Sequence, residues 1–322
     1  MTKRVLVVGG TGLLGYHATR ELLAGDWRVT AVGLPPAPPA RLYPDTVKVV
    51  LKDLAGATDA GLRKLLRGHR ALVFAAGLDD RQALAKPAYE KFHQANVANL
   101  ERLLLRAKEA GVRQVVVLGS YLAHFHHRWP ALKLAERHPY IRSRVEQEQL
   151  VTSMPGLEGI VLEVPYVFGA LPVPGWQPLW APLVKYLRIS STVVYPAGGT
   201  ACVSATVVGR AVAAALERGE AGRCYPLGQE NLTWNEMLTR LARADQRPVR
   251  VVTLPAWTVA AVLSGVRLIH QFQNKEAGLD LRHFAELQTA RTFIDPRIAR
   301  RALGIELDDL DDAFRQTVKA CR

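Results

Sequence analysis

The stretch 5-VLVVGGTGLLGYH-17 decides the fold, because its glycines come directly after an apolar strand and open a helix. Gly9, Gly12 and Gly15 have the spacing G-x-x-G-x-x-G. In such a loop the glycines permit a tight turn, close approach of the backbone to a pyrophosphate, and close helix–strand packing. The helix N-terminus then faces the anion with free N–H groups. The alternative is a purely structural glycine turn. We expect a dinucleotide to contact Gly9, Thr11, Gly12, Leu13, Leu14 and Gly15.

Apolar strands alternate with helices through the first half of the chain. Runs such as VLVV and VVVL are typical of strands that are buried on both faces. The pattern predicts strands at 4–8, 28–32, 47–51, 71–75, 114–118 and 159–164, and helices at 13–24, 58–67, 87–110 and from Pro139 onward. The predicted class is α/β, with a Rossmann-type, doubly wound parallel sheet. We expect a dinucleotide-binding domain over 1–165, with a returning segment near 200–218, and a smaller substrate-binding domain over 166–322.

The end of the second strand bears on the choice of cofactor. NAD-binding folds have an Asp or Glu there that reads the ribose, and a basic residue favours NADP. The sequence is 29-VTAVGLPP-36, so Gly33 or Leu34 occupies this position. The missing acid argues against strict use of NAD, while the nearest arginine, Arg41, lies beyond the prolines. Both cofactors stay open, with NADP favoured.

Charge and composition limit the classes of partner. The net charge is +13, but the basic residues are spread along the chain and form no nucleic-acid motif. We therefore expect no nucleic-acid partner. The three cysteines are too far apart for a disulfide framework or a metal quartet. No signal peptide is recognisable, so we expect a cytoplasmic protein.

One long apolar stretch, 254-LPAWTVAAVLSGVRLI-269, raises the question of a membrane. It is interrupted by Arg267 and is shorter than the roughly 20 residues that span a bilayer. We expect a buried helix here, and no membrane partner.

A tyrosine and an arginine share a helix face in 138-HPYIRSRVEQEQ-149. Tyr140 and Arg144 are four residues apart, so their side chains lie on the same side of a helix. A phenol needs a nearby positive charge if it is to work as an acid or base near neutral pH. The pair is either such a device or an ordinary contact on a helix surface.

Together these segments resemble the extended (atypical) short-chain dehydrogenase/reductase family, and more narrowly its NAD-dependent epimerase/dehydratase group. The resemblance covers nearly the whole chain. Besides the glycine loop, it rests on Tyr140 and Arg144 at the family's Tyr-x-x-x-Lys, on 160-IVLEVPYVFG-169, and on 303-LGIELDDLDDAFRQTV-318. It also rests on Asp53-Leu54, Ala75-Ala76-Gly77, Asn96 and Ser120.

The resemblance implies hydride transfer between a nicotinamide and a carbonyl or hydroxyl carbon of a small molecule. Ser120, Tyr140 and Arg144 would be catalytic, with Tyr140 as the acid/base. A homodimer built on the 87–110 helix and the Tyr140 helix is also implied. The further cofactor-binding residues would be Asp53, Leu54, Ala75, Ala76, Gly77, Asn96, Tyr140, Arg144 and Pro165.

Several positions depart from the family pattern. Arg144 replaces a lysine, and Glu163 stands where an arginine is usual. Val208-Gly209 replaces a pair of aspartates, and Tyr121-Leu122 replaces the acidic pair of sugar dehydratases. The last change argues against a dehydratase. The alternative to an enzyme is a dinucleotide-binding sensor or scaffold protein with lost or reduced catalysis.

Two clusters near the expected site have alternative interpretations. His124, His126 and His127 are expected in a loop after the serine strand, and they face either a substrate or, less favoured, a metal. We predict no metal site. The segment 176–180, with two tryptophans and a glutamine, either lines the substrate pocket or covers the core of the small domain.

Overall fold

The computed structural model describes residues 3–322. The strands are β1 (Arg4–Val8), β2 (Arg28–Gly33), β3 (Lys48–Leu51), β4 (Ala71–Phe74), β5 (Ala83–Ala85), β6 (Gln114–Ser120), β7 (Glu158–Val164), β8 (Tyr166–Phe168), β9 (Thr192–Pro196), β10 (Gly199–Ser204), β11 (Arg223–Pro226), β12 (Glu230–Thr233), β13 (Arg250–Leu254), β14 (Lys275–Ala277) and β15 (Arg291–Thr292). The α-helices are α1 (Leu13–Ala24), α2 (Asp59–Leu66), α3 (Ala88–His93), α4 (Asn99–Glu109), α5 (Tyr121–Arg128), α6 (Leu134–Arg137), α7 (Pro139–Ser153), α8 (Ala181–Leu187), α9 (Ala205–Arg218), α10 (Trp234–Ala244), α11 (Ala256–Phe272), α12 (Phe284–Thr289), α13 (Arg297–Leu303) and α14 (Leu310–Ala320).

A parallel sheet of seven strands forms the centre of the molecule. Its order is β11-β7-β6-β4-β1-β2-β3, and every neighbouring pair is parallel. The chain runs outward from β1 in both directions, so the order reverses between β1 and β4. Ligands of doubly wound sheets bind at the carboxyl ends of the strands beside this reversal. The predicted Rossmann-type fold is confirmed.

Both faces of this sheet are covered by helices, as the continuous apolar strands indicated. Along β1, Val5 and Val7 pack toward α1 and α9, whereas Leu6 and Val8 pack toward α2 and α4. All four side chains are buried. Alternate residues of a strand point to opposite faces, so a strand that is apolar at every position fits only between two helical layers.

Parts of the second half of the chain return to this sheet. Helix α9 packs along α1, and strand β11 pairs with β7. Helix α13 packs on α9 and on β11. The remaining strands of the second half include a smaller sheet of order β12-β10-β15, in which β8 also pairs with β10. The division at residues 165 and 166 stays a prediction.

The helix expected over 87–110 is interrupted. Residues 94–98 form a π-helical turn between α3 and α4. Such turns are single-turn insertions that are frequent at functional sites. Asn96 lies in this turn and is fully buried, and its side chain bonds to the amide of Leu78 in the loop after β4.

The expectation of a buried helix at 254–269 is wrong. Helix α11 occupies this stretch, and none of its described side chains is buried. Within residues 3–322, no helix combines the length and the apolar character needed to cross a membrane.

The glycine that departs from the family pattern has a packing role. A Cβ atom at Gly209 on α9 would lie 2.6 Å from the carbonyl oxygen of His17 on α1. The two helices can therefore approach closely only where α9 has no side chain, and Val208 beside it is fully buried in the core.

Gly209→Ala is expected to lower the free energy of unfolding by about 1–3 kcal/mol, because backbone atoms must move. Gly265→Ala is the matched control, since it is also a helical glycine but has no atom within 4 Å of its added Cβ. It should raise stability by about 0.5–1 kcal/mol through helix propensity. Urea unfolding measures both, and equal effects would contradict the packing role.

Candidate functional site

A cavity of about 440 Å³ lies at the carboxyl ends of β1, β4, β6 and β7. It is therefore in the crevice beside the reversal of strand order. The sequence-predicted residues that line it come from five separate segments. They are Gly12, Leu13, Leu14, Ala75, Ala76, Gly77, Ser120, Tyr140, Arg144 and Pro165.

The glycine loop forms one end of this cavity. Gly9 has a positive φ of 78°, and an added Cβ would lie 2.4 Å from the carbonyl oxygen of Ala75. A Cβ at Gly15 would lie 2.1 Å from the carbonyl oxygen of Gly9. No side chain caps the N-terminus of α1. The loop therefore presents backbone amides at a helix N-terminus, which is the chemistry that binds a pyrophosphate.

Other members of the predicted cofactor set lie outside the cavity. Gly9 and Gly15 form the turn itself. The side chain of Thr11 packs against Gly33, where an added Cβ would lie 2.1 Å from the Thr11 Oγ1. Asp53 accepts a hydrogen bond from the amide of Ala55 in the turn after β3. Leu54 packs against the core on the α2 and α4 face of the sheet.

Tyr140 lies in the first turn of α7 and lines the cavity. Pro139 occupies the first turn of α7, where its missing N–H costs no hydrogen bond. The Tyr140 amide donates to the carbonyl of Gly278 at 3.0 Å, and its ring meets the edge of Phe92. Its hydroxyl makes no hydrogen bond to any residue in 3–322, although the ring is buried. The phenol is fixed by its backbone and ring, and its oxygen is left available to a ligand.

Ser120 ends β6 on the same cavity wall. It is buried, and its Oγ caps α5 by accepting a hydrogen bond from the amide of Leu122 at 3.3 Å. A serine hydroxyl that accepts one bond keeps its proton as a donor. The structure therefore brings together the serine and the tyrosine that the sequence placed 20 residues apart.

Arg144 is buried and held by two hydrogen bonds. Its Nη1 donates to Oε1 of Gln147 at 2.9 Å, and its Nη2 donates to the carbonyl of Leu78 at 3.1 Å. The guanidinium carbon lies 5.2 Å from the centre of the Tyr140 ring. A fixed positive charge therefore stands beside the phenol, as the helix spacing predicted.

A network centred on Asn96 fixes this arginine. The Asn96 Oδ1 accepts from the amide of Leu78 at 2.9 Å, and its Nδ2 donates to Oγ of Ser143 at 3.1 Å. Gln147 Nε2 in turn donates to the Asn96 carbonyl at 2.7 Å. Asn96 does not line the cavity, so it positions the loop after β4 against α7. Gln147 was missed by sequence reasoning, although its place three residues after Arg144 is a helical contact distance.

The loop after β4 also carries charged residues that sequence reasoning missed. Asp79, Asp80 and Arg81 line the cavity. Burial raises the pKa of the Asp80 carboxyl, while the nearby Arg81 opposes that rise. Arg81 lies over the ring of Trp180 at 4.5 Å. The signal available in the sequence was their position in the loop that follows a parallel strand, because ligands bind outside the carboxyl ends of such strands.

Aromatic side chains form part of the lining of this cavity. Trp176 and Trp180, from the segment with two alternative interpretations, line the cavity together with Gln177. Trp180 also stacks on Phe168, with ring centres 4.7 Å apart. Both interpretations therefore hold for Trp180. Tyr166 lines the same cavity, and burial raises its pKa well above the ordinary value.

The histidines after the serine strand are helical, so the expectation of a loop is wrong. Helix α5 turns two of them away from the cavity and toward buried carboxylates. His124 Nδ1 lies 3.4 Å from Oε2 of Glu163, and His127 Nε2 lies 3.3 Å from Oε2 of Glu148. Burial raises the pKa of Glu148, and the Glu148 carboxylate raises the pKa of His127. Across residues 3–322, no group of three or more His, Cys, Asp and Glu side chains has an arrangement that could hold a metal.

Known proteins share this architecture. The structure described as gox2253 superimposes with a TM-score of 0.78 at 20% identity, over 99% of this chain and 98% of the other. PA4631, a nucleoside-diphosphate-sugar epimerase from Pseudomonas aeruginosa, gives 0.74 at 20% identity, over 99% and 97% of the two chains. A UDP-glucuronic acid 4-epimerase from Bacillus cereus, solved with UDP-glucuronic acid and NAD, gives 0.69 at 15% identity, over 99% and 98%.

At these identities the structural likeness establishes the fold, and the sequence comparison establishes the family. No curated protein matches the sequence. The model of the NAD dependent epimerase/dehydratase family matches residues 5–176, which is more than half of the chain. The chain therefore belongs to the NAD dependent epimerase/dehydratase family, and the expected Rossmann-fold, NAD-dependent enzyme class is confirmed at the level of that family.

Proposed function

We propose that the protein is an NAD(P)-dependent oxidoreductase or epimerase that acts at a carbonyl or hydroxyl carbon of a small molecule. The observation that carries the proposal is one cavity that contains both the amide-rich end of the glycine loop and the pair Ser120 and Tyr140. Cofactor and substrate would meet there. When bound, the nicotinamide cofactor supplies or accepts the hydride.

The residues at the glycine loop fit a dinucleotide. Only glycine fits at positions 9 and 15, because a Cβ atom there would clash with backbone atoms. No side chain caps α1, so its first amides are uncovered. Gly12, Leu13 and Leu14 line the cavity at this point and would hold the pyrophosphate. The segment Ala75-Ala76-Gly77 would lie along the cofactor toward its reactive end.

The proton would move through Tyr140, whose hydroxyl is not engaged by the protein. Ser120 would donate a hydrogen bond to the substrate oxygen and so orient it beside the phenol. Arg144 would stabilise the phenolate form by its charge. It would not relay a proton, because a guanidinium keeps its proton at any physiological pH.

The walls of the cavity favour a ring-bearing alcohol or ketone as substrate. Trp176, Trp180 and Tyr166 offer aromatic groups, and Asp80 and Arg81 offer polar groups in the same lining. Apolar and aromatic walls with a few placed polar groups are typical of small-molecule sites, and aromatic side chains pack well against a ring. We also propose a homodimer built on α4 and α7, and a cytoplasmic location, as expected from the sequence.

The second candidate is a dinucleotide-binding sensor without turnover. The engaged state of Arg144 favours it, because both of its terminal nitrogens already donate within the protein. A sensor would bind cofactor and exchange no hydride, which the substitutions below distinguish.

The first prediction concerns cofactor choice. Leu34 directly follows β2 and is 62% exposed. It stands where a carboxylate would contact the ribose of NAD. Because no acid is present at this position to select the ribose of NAD, we expect NADPH to bind more tightly than NADH. NADPH should then raise the melting temperature more, since ligand binding stabilises the folded state by mass action. Leu34→Asp should improve NADH binding by about tenfold through charge-assisted hydrogen bonds to the ribose. Ile189→Asp, at another exposed apolar residue, is the control; unchanged NADH affinity in Leu34→Asp would refute this location of the ribose.

The second prediction concerns Tyr140. Tyr140→Phe should lower turnover on a panel of ketones and alcohols by about 10²–10⁴-fold, because general acid/base catalysis is lost. Cofactor binding should persist. Tyr89→Phe is the control, since the Tyr89 hydroxyl donates to Glu146 outside the cavity. Undiminished turnover in Tyr140→Phe would remove the role, and cofactor binding without turnover in the unmodified protein would support the sensor.

The third prediction concerns Arg144. Arg144→Lys should lower turnover by about 10–100-fold, because one ammonium cannot keep both the Leu78 and Gln147 contacts and the phenol loses its fixed charge. Arg142→Lys is the control on the same helix, with an exposed side chain paired to Glu146. A gain in turnover for Arg144→Lys would instead identify a slowed enzyme in which lysine works better.

A further inference from the structure

Helix α11 presents an apolar surface to the outside of the molecule. Trp257 is 72% exposed, Val262 67% and Phe272 91%, and Leu268 and Ile269 are also exposed. Its neighbours in the fold are α12 and β14. A helix of this length extends about 25 Å. At 3.6 residues per turn these five positions fall on one side of the helix, and an exposed apolar patch of this kind marks an interaction site.

The segment around α11 carries only positive charge. Residues 246–275 contain no Asp or Glu, although they include Arg247, Arg250, Arg267 and Lys275. The helix itself has a single charged residue, Arg267. An apolar helix with basic flanks is complementary to an anionic surface that has an apolar interior.

A basic cavity of about 180 Å³ adjoins the C-terminal half of α11. Lys86, Arg267 and Lys275 line it, and within residues 3–322 none of the three has a carboxylate partner. The lining also contains Arg282 and two acids, and each acid has a partner within the protein. Glu276 accepts from the amide of Ala88 at 2.8 Å, and Asp280 pairs with Arg282. The cavity therefore offers free cations beside the exposed apolar side chains.

We propose that α11 binds the surface of an anionic phospholipid membrane. The helix lies in the interface, with its apolar side chains among the acyl chains and the phosphate headgroups at Lys86, Arg267 and Lys275. The expectation of no membrane partner is replaced by peripheral binding that does not cross the bilayer. This inference is independent of the proposed catalytic role of Tyr140.

A second copy of the chain fits this surface less well. In a two-fold contact the same patch meets itself. The basic residues of both copies would then face each other, and residues 246–275 supply no acid to pair with them. An anionic lipid surface meets the same residues with opposite charge.

The test is co-sedimentation of the full chain with phosphatidylglycerol vesicles and with phosphatidylcholine vesicles. We expect binding to the anionic vesicles that weakens as salt is raised, and weaker binding to the neutral ones. Arg267→Gln and Lys275→Gln should each lower the affinity about fivefold, since each removes one cation near the surface.

Two double variants that leave the charge unchanged distinguish binding through α11 from general electrostatic attraction of a chain with net charge +13. Trp257→Ser with Phe272→Ser should lower vesicle affinity on the order of tenfold or more, because two aromatic groups that would enter the acyl-chain region are lost. Ile189→Ser with Ile298→Ser, at exposed apolar residues outside α11, is the matched control and should bind as the unmodified chain does. Val262→Ser serves if the double variant does not fold.

Two outcomes would overturn the proposal. In the first, the α11 variants and the control bind vesicles equally, so that only net charge acts. In the second, the chain binds no vesicles, and sedimentation without lipid gives a dimer that Trp257→Ser with Phe272→Ser dissociates. The surface is then an interface between copies.

Discussion

The turn between β1 and α1 has no space for a Cβ atom, and the position of the whole site depends on this constraint. Gly9 meets the carbonyl of Ala75 at the end of β4, and Gly15 meets the carbonyl of Gly9. These contacts bring α1 down onto the sheet at the point where the strand order reverses. The uncovered amides of α1 then open into the same crevice as the ends of β4, β6 and β7.

A buried polar network gives this crevice its second fixed side. Asn96 is fully buried and bonds both to the loop after β4 and to α7. Because buried polar groups are costly when unpaired, this network allows few alternative arrangements. It holds Arg144 through Leu78 and Gln147, and Arg144 in turn lies beside the Tyr140 ring. The π-helical turn at 94–98 is the local adjustment that presents Asn96.

Two regions depart most strongly from expectation. Helix α5 uses its histidines to face Glu148 and Glu163, which are buried between α5, α7 and β7. Helix α11 keeps its apolar side chains on the outside. In both cases the residue types were visible in the sequence, but the surface that each side chain faces was not. The composition of a segment shows which chemical groups it carries, whereas the fold decides which of them are buried.

Local rules were sufficient for much of the architecture. Continuous apolar runs and glycine spacing predicted the parallel sheet, the α1 boundaries at 13–24, and a tyrosine and arginine on one face of α7, because these depend on residues a few positions apart. The tertiary structure alone decided that Asp80 and Trp180 share the cavity with Tyr140, that Asn96 joins the loop after β4 to α7, and that α11 is exposed. Those facts depend on groups that are tens of residues apart, and no local pattern records which of them meet.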